Sequence, residues 1–244
     1  MKRVLILGGT SDARALASSV SDLPNYEVIY SLAGKTRKPG LPACEVRTGG
    51  FGGAEGLAAY LAEASIDLVV DATHPFAQTM ASHAADACLV ANTARVKFCR
   101  PAWPSDELGW ISVKTYQEAA AKLSALGDRV FLSIGTKDLD AFSALADKWF
   151  LIRAVEQPAL PIPLINHALL LERGPFDAAH DRTIMVTYQI DVLVSKNSGG
   201  TPVGKIQAAH HLNIPIIMIE QPGMPAGDVV SSINDVVGWL EAHS

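Results

Sequence analysis

Apolar positions along this chain follow two alternating periods. Residues 4–7 form a continuous apolar run of strand length, closed by Gly8 and Gly9. Directly afterwards Ala13, Leu16, Ala17 and Val20 fall at i, i+3, i+4 and i+7, the inward stripe of an amphipathic helix. Strand, glycine turn and helix are therefore predicted, and the pattern repeats. Further strands are expected at 27–32, 44–47, 66–71 and 94–99. Between them come a helix carrying Leu57, Tyr60, Leu61 and Ala64, and another burying Met80, Ala81, Ala84, Ala85 and Cys88. A second series begins past residue 104. Its strands are expected at 110–113, 130–134, 150–155 and 192–195, with the last at 214–219. A capping box, Thr115-Tyr116-Gln117-Glu118, opens a helix running to 126. Pro158, Pro161 and Pro163 precede a helix through Leu171 that stops before Gly174, and another spans 177–188. One more carries Lys205, Ala208, Ala209 and Leu212, and Ile233, Val236, Val237 and Leu240 stripe the closing helix. Alternation of this kind predicts an α/β protein with mainly parallel sheets. Pro101 and Pro104, with a change of composition, divide it into residues 1–104 and 105–244.

The polar loops fall at the strand ends where such sheets bind ligands. Gly8, Gly9, Thr10, Ser11, Asp12 and Arg14 turn from the first strand into a helix whose N-terminus attracts phosphate. The fingerprint is degenerate, because Thr10 replaces the middle glycine of G-x-G-x-x-G and Ala13 the last. The Thr10 hydroxyl can donate to phosphate or cap the helix, and the stretch also fits an ordinary buried first strand. An NAD-type acid is missing from the end of the second strand. The chain reads Ser31, Leu32, Ala33, Gly34, Lys35, Thr36, Arg37 there, which suits a 2′-phosphate and favours NADPH; a solvated basic loop has the same composition. Gly50, Phe51 and Gly52 form a second glycine loop. Ala72, Thr73 and His74 follow the 66–71 strand, with Pro75 fitting a helix start. In the second series Thr136, Lys137, Lys196, Asn197, Ser198, Gly199, Gly200 and Lys205 make a basic, hydroxyl-rich set suited to an anionic ligand.

Composition narrows the class. The chain has 244 residues, 49% of them hydrophobic and 18% charged, which describes a packed globular protein. A net charge of -5 argues against nucleic-acid binding. Cys44, Cys88 and Cys99 lack metal-ligand spacing and fit reduced thiols in a cytoplasmic protein, with no metal expected. No apolar run reaches membrane-span length.

Five motifs in order, at Gly8–Arg14, Thr48–Gly53, Asp71–Ala77, Arg100–Trp103 and Lys196–Gly200, resemble the precorrin-6A reductase (CobK/CbiJ) family of cobalamin biosynthesis. The resemblance spans nearly the whole chain. It implies two Rossmann-like domains with the active site between them, NADPH as hydride donor, and reduction of a double bond in precorrin-6A to give precorrin-6B. It also implies an anionic tetrapyrrole substrate, to which Arg100, Thr136, Lys137, Arg153, Lys196, Asn197, Ser198, Gly199 and Gly200 are assigned. His74, Lys196 and Ser198 are candidates to supply the accompanying proton. Other classes fit these residues less well. A short-chain dehydrogenase needs Tyr-x-x-x-Lys, which none of the five tyrosines provides. A metal hydrolase lacks H-E-x-x-H. A non-catalytic NADP sensor, or a reductase of another substrate, remains the alternative.

Overall fold

The structure, a computed structural model, describes residues 1–34, 41–104, 109–200 and 204–243. The elements follow in chain order. Strand β1 (Lys2–Leu7) leads to α1 (Ser11–Ser21), β2 (Tyr26–Leu32), β3 (Glu45–Thr48), α2 (Ala54–Glu63), β4 (Leu68–Asp71), α3 (Gln78–Val90) and β5 (Ala94–Phe98). Then come β6 (Ile111–Val113), α4 (Tyr116–Leu123), β7 (Arg129–Ser133), a 3-10 turn (Leu139–Phe142), β8 (Trp149–Ala154), β9 (His167–Leu171) and α5 (Ala178–Thr187). The chain finishes with β10 (Val192–Lys196), α6 (Gly204–His211), β11 (Ile216–Ile219), β12 (Asp228–Val230) and α7 (Ile233–Ala242). Among the described residues no helix is long and apolar enough to cross a membrane.

Two compact units result: Met1–Pro101 with Pro222–Ser244, and Ala102–Gln221. The first holds a six-stranded sheet in the order β3-β2-β1-β4-β5-β12, and the second a sheet in the order β9-β8-β7-β10-β11-β6. Every pairing is parallel. Helices on both faces of such a sheet bury the strands twice over, which is why β1 reads as an unbroken apolar run. Val4 and Ile6 face Ala13, Leu16, Val236 and Leu240, while Leu5 and Leu7 face Leu57, Leu61, Val69 and Ala84. Hydroxyl and carboxylate caps start the helices. Thr10, Thr115, Asp177 and Ser232 each accept a first-turn N–H, and Ser232 with Asp235 completes a capping box.

Three expectations are corrected. Residues 167–171 are not the end of a helix but an edge strand, paired from Phe150↔His167 to Ala154↔Leu171. The apolar run at 168–171 is strand length, and helix periodicity cannot be tested over so short a stretch. The division into 1–104 and 105–244 also differs from the structure, and 214–219 is not the last strand. The chain returns after Gln221, and Asp228–Val230 pairs with Val96–Phe98 as the sixth strand of the first sheet. Val236 and Leu240 then seal the first core beside Val20 and Val96, and the Trp239 indole N–H donates to Asp228 Oδ2 at 2.7 Å. A two-valine strand is too short to announce itself, and the stripe of α7 does not say which sheet it covers.

Candidate functional site

Apart from the edge strands β6 and β12, each sheet grows outward from one strand and then restarts on that strand's other side. In the first unit the reversal lies between β1 and β4, where an open parallel sheet leaves a crevice at its carboxyl ends. Gly8 and Gly9 leave β1 there. A Cβ on Gly8 would lie 2.2 Å from the Tyr30 ring, so only glycine fits. Gly9 takes φ +120, opens onto empty space, and donates its N–H to Tyr30 Oη at 3.2 Å. Burial pushes the Tyr30 phenol up, opposed by the Gly9 hydrogen bond, so Tyr30 remains a neutral acceptor. Thr10 resolves the open choice at the middle fingerprint position. Its Oγ accepts from Ala13 N–H at 3.0 Å and faces the Ala72 carbonyl at 3.4 Å, so it caps α1 and ties the β1 loop to the β4 loop. Among the described residues the backbone N–H groups of Ser11 and Asp12 have no acceptor. Asp12 pairs with Arg100, which offsets a carboxylate otherwise unfavourable to phosphate. Arg100 was expected on the substrate; Arg14 is exposed.

The β4 loop stands on a buried network that the sequence did not announce. Lys97, 2% exposed, sits within β5 and donates to Asp71 Oδ1 at 3.0 Å, Thr73 carbonyl at 2.9 Å and Thr73 Oγ at 3.1 Å. Thr73 donates its hydroxyl to Asp71 Oδ1 at 2.6 Å. Thr73, expected on the cofactor, is thus part of the loop's internal frame. His74 is half-buried, and its Nδ1 accepts the Phe76 N–H at 3.2 Å, which assigns the neutral ring's proton to Nε2.

The ends of β2 and β3 meet at Ser31, whose Oγ accepts from Arg47 at 3.1 Å. Arg47 also donates to the carbonyls of Gly49 and Gly50 and lies 3.7 Å from the centroid of the Phe51 ring. Gly34 and Gly52 turn here at φ +75 and +82. Lys35, Thr36 and Arg37 lie outside the described residues. Arg47 escaped sequence reasoning; a base between a strand and a glycine loop is its only signal.

In the second unit the reversal lies between β7 and β10. Lys196 donates to the Ile134 carbonyl at 2.6 Å, lies 3.6 Å from Asp138 and faces the Tyr116 ring at 5.4 Å. Burial lowers its pKa, opposed by Asp138. Burial, reinforced by Asp138, raises that of Tyr116. Lys205 reaches Ser133 Oγ at 3.0 Å, and burial, with Arg153 next in weight, brings its ammonium down to about 8. Thr136 is half-buried and Lys137 exposed on the β7 loop. Two expected substrate ligands have other work. Arg153, 8% exposed, pairs with Asp181 and Glu172 between the Phe131 and Phe176 rings. Asn197 holds the Trp103 backbone at both N–H and carbonyl, at 2.9 and 3.0 Å, while the Trp103 indole donates to Gly200. Ser198 Oγ lies 3.4 Å from the Lys196 carbonyl, and Gly199 donates its N–H to Asn197 Oδ1 at 3.3 Å.

These sites can be set beside known proteins. The family model for precorrin-6x reductase CbiJ/CobK matches residues 3–241. The chain belongs to the precorrin-6x reductase family. It is 44% identical to a precorrin-6A reductase of Rhodococcus erythropolis, over 98% of each chain, and 38% identical to that of Rhodobacter capsulatus, over 100% of this chain and 97% of the other. A cobalt-precorrin-6A reductase of Priestia megaterium is 30% identical over 97% of each. A solved CobK precorrin-6A reductase superposes with TM-score 0.92 at 37% identity, covering 100% of this chain and 98% of that one. Membership makes the chain an oxidoreductase of cobalamin biosynthesis with a two-sheet α/β fold.

Proposed function

We propose that this chain reduces a double bond of precorrin-6A to give precorrin-6B, with NADPH as the hydride donor. The observation that carries the cofactor assignment is the β1–β4 reversal point, where a glycine turn, a Thr10-capped helix and acceptor-free first-turn N–H groups come together. Ser31, bonded to Arg47, stands where an NAD-type acid would repel a 2′-phosphate. NADPH supplies the hydride when bound. The backbone at Gly9–Asp12 would hold its pyrophosphate, with Ala72 and His74 lining the same crevice.

The second unit supplies cations for the substrate's carboxylates: Lys137, Lys196 and Lys205. One proton must accompany the hydride for two hydrogens to add across the double bond. Lys196 is assigned to deliver it, because burial weakens its hold on that proton. Ser198 and Asn197 shape its loop, and His74 lies on the β4 loop of the nucleotide-binding unit. The cobalt-free macrocycle is favoured, since precorrin-6A reductases match at 38–44% identity and cobalt-precorrin-6A reductases at 26–30%. A cytoplasmic setting fits three free cysteines.

Anaerobic mixing of protein, NADPH and precorrin-6A tests this. NADPH should be consumed one for one as the macrocycle absorbance changes. Binding of NADPH without turnover would support the sensor alternative and sink the reductase.

A further inference from the structure

The third strand of the first sheet carries, next to its last residue, an arginine that no expectation assigned. In the register of β2 with β3, Ser31 lies beside Arg47. The guanidinium is fixed from three sides, by Ser31 Oγ at 3.1 Å, the Gly49 carbonyl at 2.9 Å and the Gly50 carbonyl at 3.1 Å. Phe51 backs one face at 3.7 Å, and Tyr60 stands 4.9 Å away. Such stacking is favourable and leaves the plane little freedom to turn.

These three contacts use three of the five guanidinium N–H donors. Among the described residues Nε–H and one Nη2–H have no acceptor, which leaves two charged donors for phosphate oxygens. Arg47 is only half-buried, so these donors are reachable from solvent. No carboxylate lies within ion-pair distance of it among the described residues; the neighbouring Glu45 is drawn toward Arg3 at 3.9 Å. A carboxylate at Ser31 would capture this cation. A hydroxyl orients it and leaves its charge unmatched.

We infer, resting on the NADPH assignment above, that Arg47 is the residue that selects NADPH over NADH, by binding the 2′-phosphate through its Nε–H and remaining Nη2–H. Ser31 and the Gly49-Gly50 carbonyls fix the guanidinium that carries them. The masking charge of a ribose-binding acid is absent, so the site discriminates by attraction as well as by the lack of repulsion.

Calorimetric titration of the full chain with NADPH and with NADH tests it, in wild type, Arg47→Gln and Arg47→Lys. Arg47→Gln should weaken NADPH about 10- to 100-fold, the range of a charge-assisted bidentate contact, and leave NADH within about 2-fold. Arg47→Lys keeps the charge but not the guanidinium, and should fall between. Equal weakening of both nucleotides would make Arg47 a support for the glycine loop only and overturn the inference, as would an unchanged preference in either variant. Should Arg47→Gln fail to fold, the Lys variant's preference decides. A wild type that binds neither nucleotide would instead overturn the cofactor assignment itself.

Discussion

Gly8 shows how one residue sets the opening turn. Its Cα lies against the Tyr30 ring, with 2.2 Å available where a Cβ would need ordinary contact distance. Gly8→Ala should destabilise the first unit by about 1–3 kcal/mol through overpacking, read by urea unfolding. Tyr30→Leu in the same chain should recover part of that loss. Lys97 makes the opposite kind of demand. It is a buried cation whose partner Asp71 is wholly enclosed, with Asp71 Oδ2 lacking a hydrogen-bond partner among the described residues. Removing one member of such a pair strands the other. Lys97→Met should cost about 3–5 kcal/mol in unfolding free energy, where an exposed lysine would cost a few tenths. At Lys196, substitution by Ala should raise the substrate KM far more than the NADPH Kd; equal effects on both would move this lysine to the cofactor's side of the reaction.

Helix and strand assignments from the sequence hold wherever a stripe or run is long. The faces of α1, at Ala13, Leu16, Ala17 and Val20, were legible because four positions repeat at helical spacing, and all four are buried. His167–Leu171 was not, because four apolar residues in a row satisfy a strand and a helix fragment alike. Site chemistry split the same way. The glycine turns were visible as local motifs, whereas Lys97 and Arg47 gain their roles from neighbours on adjacent strands, Asp71 and Ser31. Arg153 misled in the other direction. Its basic character suggested a ligand for carboxylates, but Asp181 and Glu172 lie far along the chain and already match it. At the start of α6, Lys205 carries a pH prediction. Its pKa falls from 10.5 to about 8, so between those values the unfolded chain holds the proton and the folded one does not. Folding stability should therefore rise with pH across that window. Substrate affinity should fall as pH rises through about 8, where the folded chain loses the cation proposed to face the carboxylates. Lys205→Met should flatten both trends, measured by urea unfolding and by substrate KM between pH 7 and 10.

At the scale of the molecule, the chain's last segment belongs with its first. Parallel sheets tolerate long crossovers, and β12 takes its place beside β5 after the whole second unit has been traversed. Neither hydrophobic period nor proline placement carries that information, since β12 is three residues long and α7 has an ordinary stripe. The consequence is physical. Val236 and Leu240 are fully buried in the first core, so a chain ending at Gln221 would leave that core open and its β5 edge unpaired. Such a chain should lose NADPH binding and aggregate on expression, while Ala102–Gln221 retains its own sheet; a truncated protein that still bound nucleotide would show α7 to be dispensable.

In the proposed reaction a hydride passes from the bound nicotinamide to the macrocycle. NADPH carrying deuterium at the transferable position of its ring tests it most directly. Mass analysis of the product after turnover in ordinary water should find one deuterium retained in the macrocycle and one hydrogen from solvent. A reduced macrocycle carrying no deuterium from either face of the labelled ring would contradict direct hydride transfer.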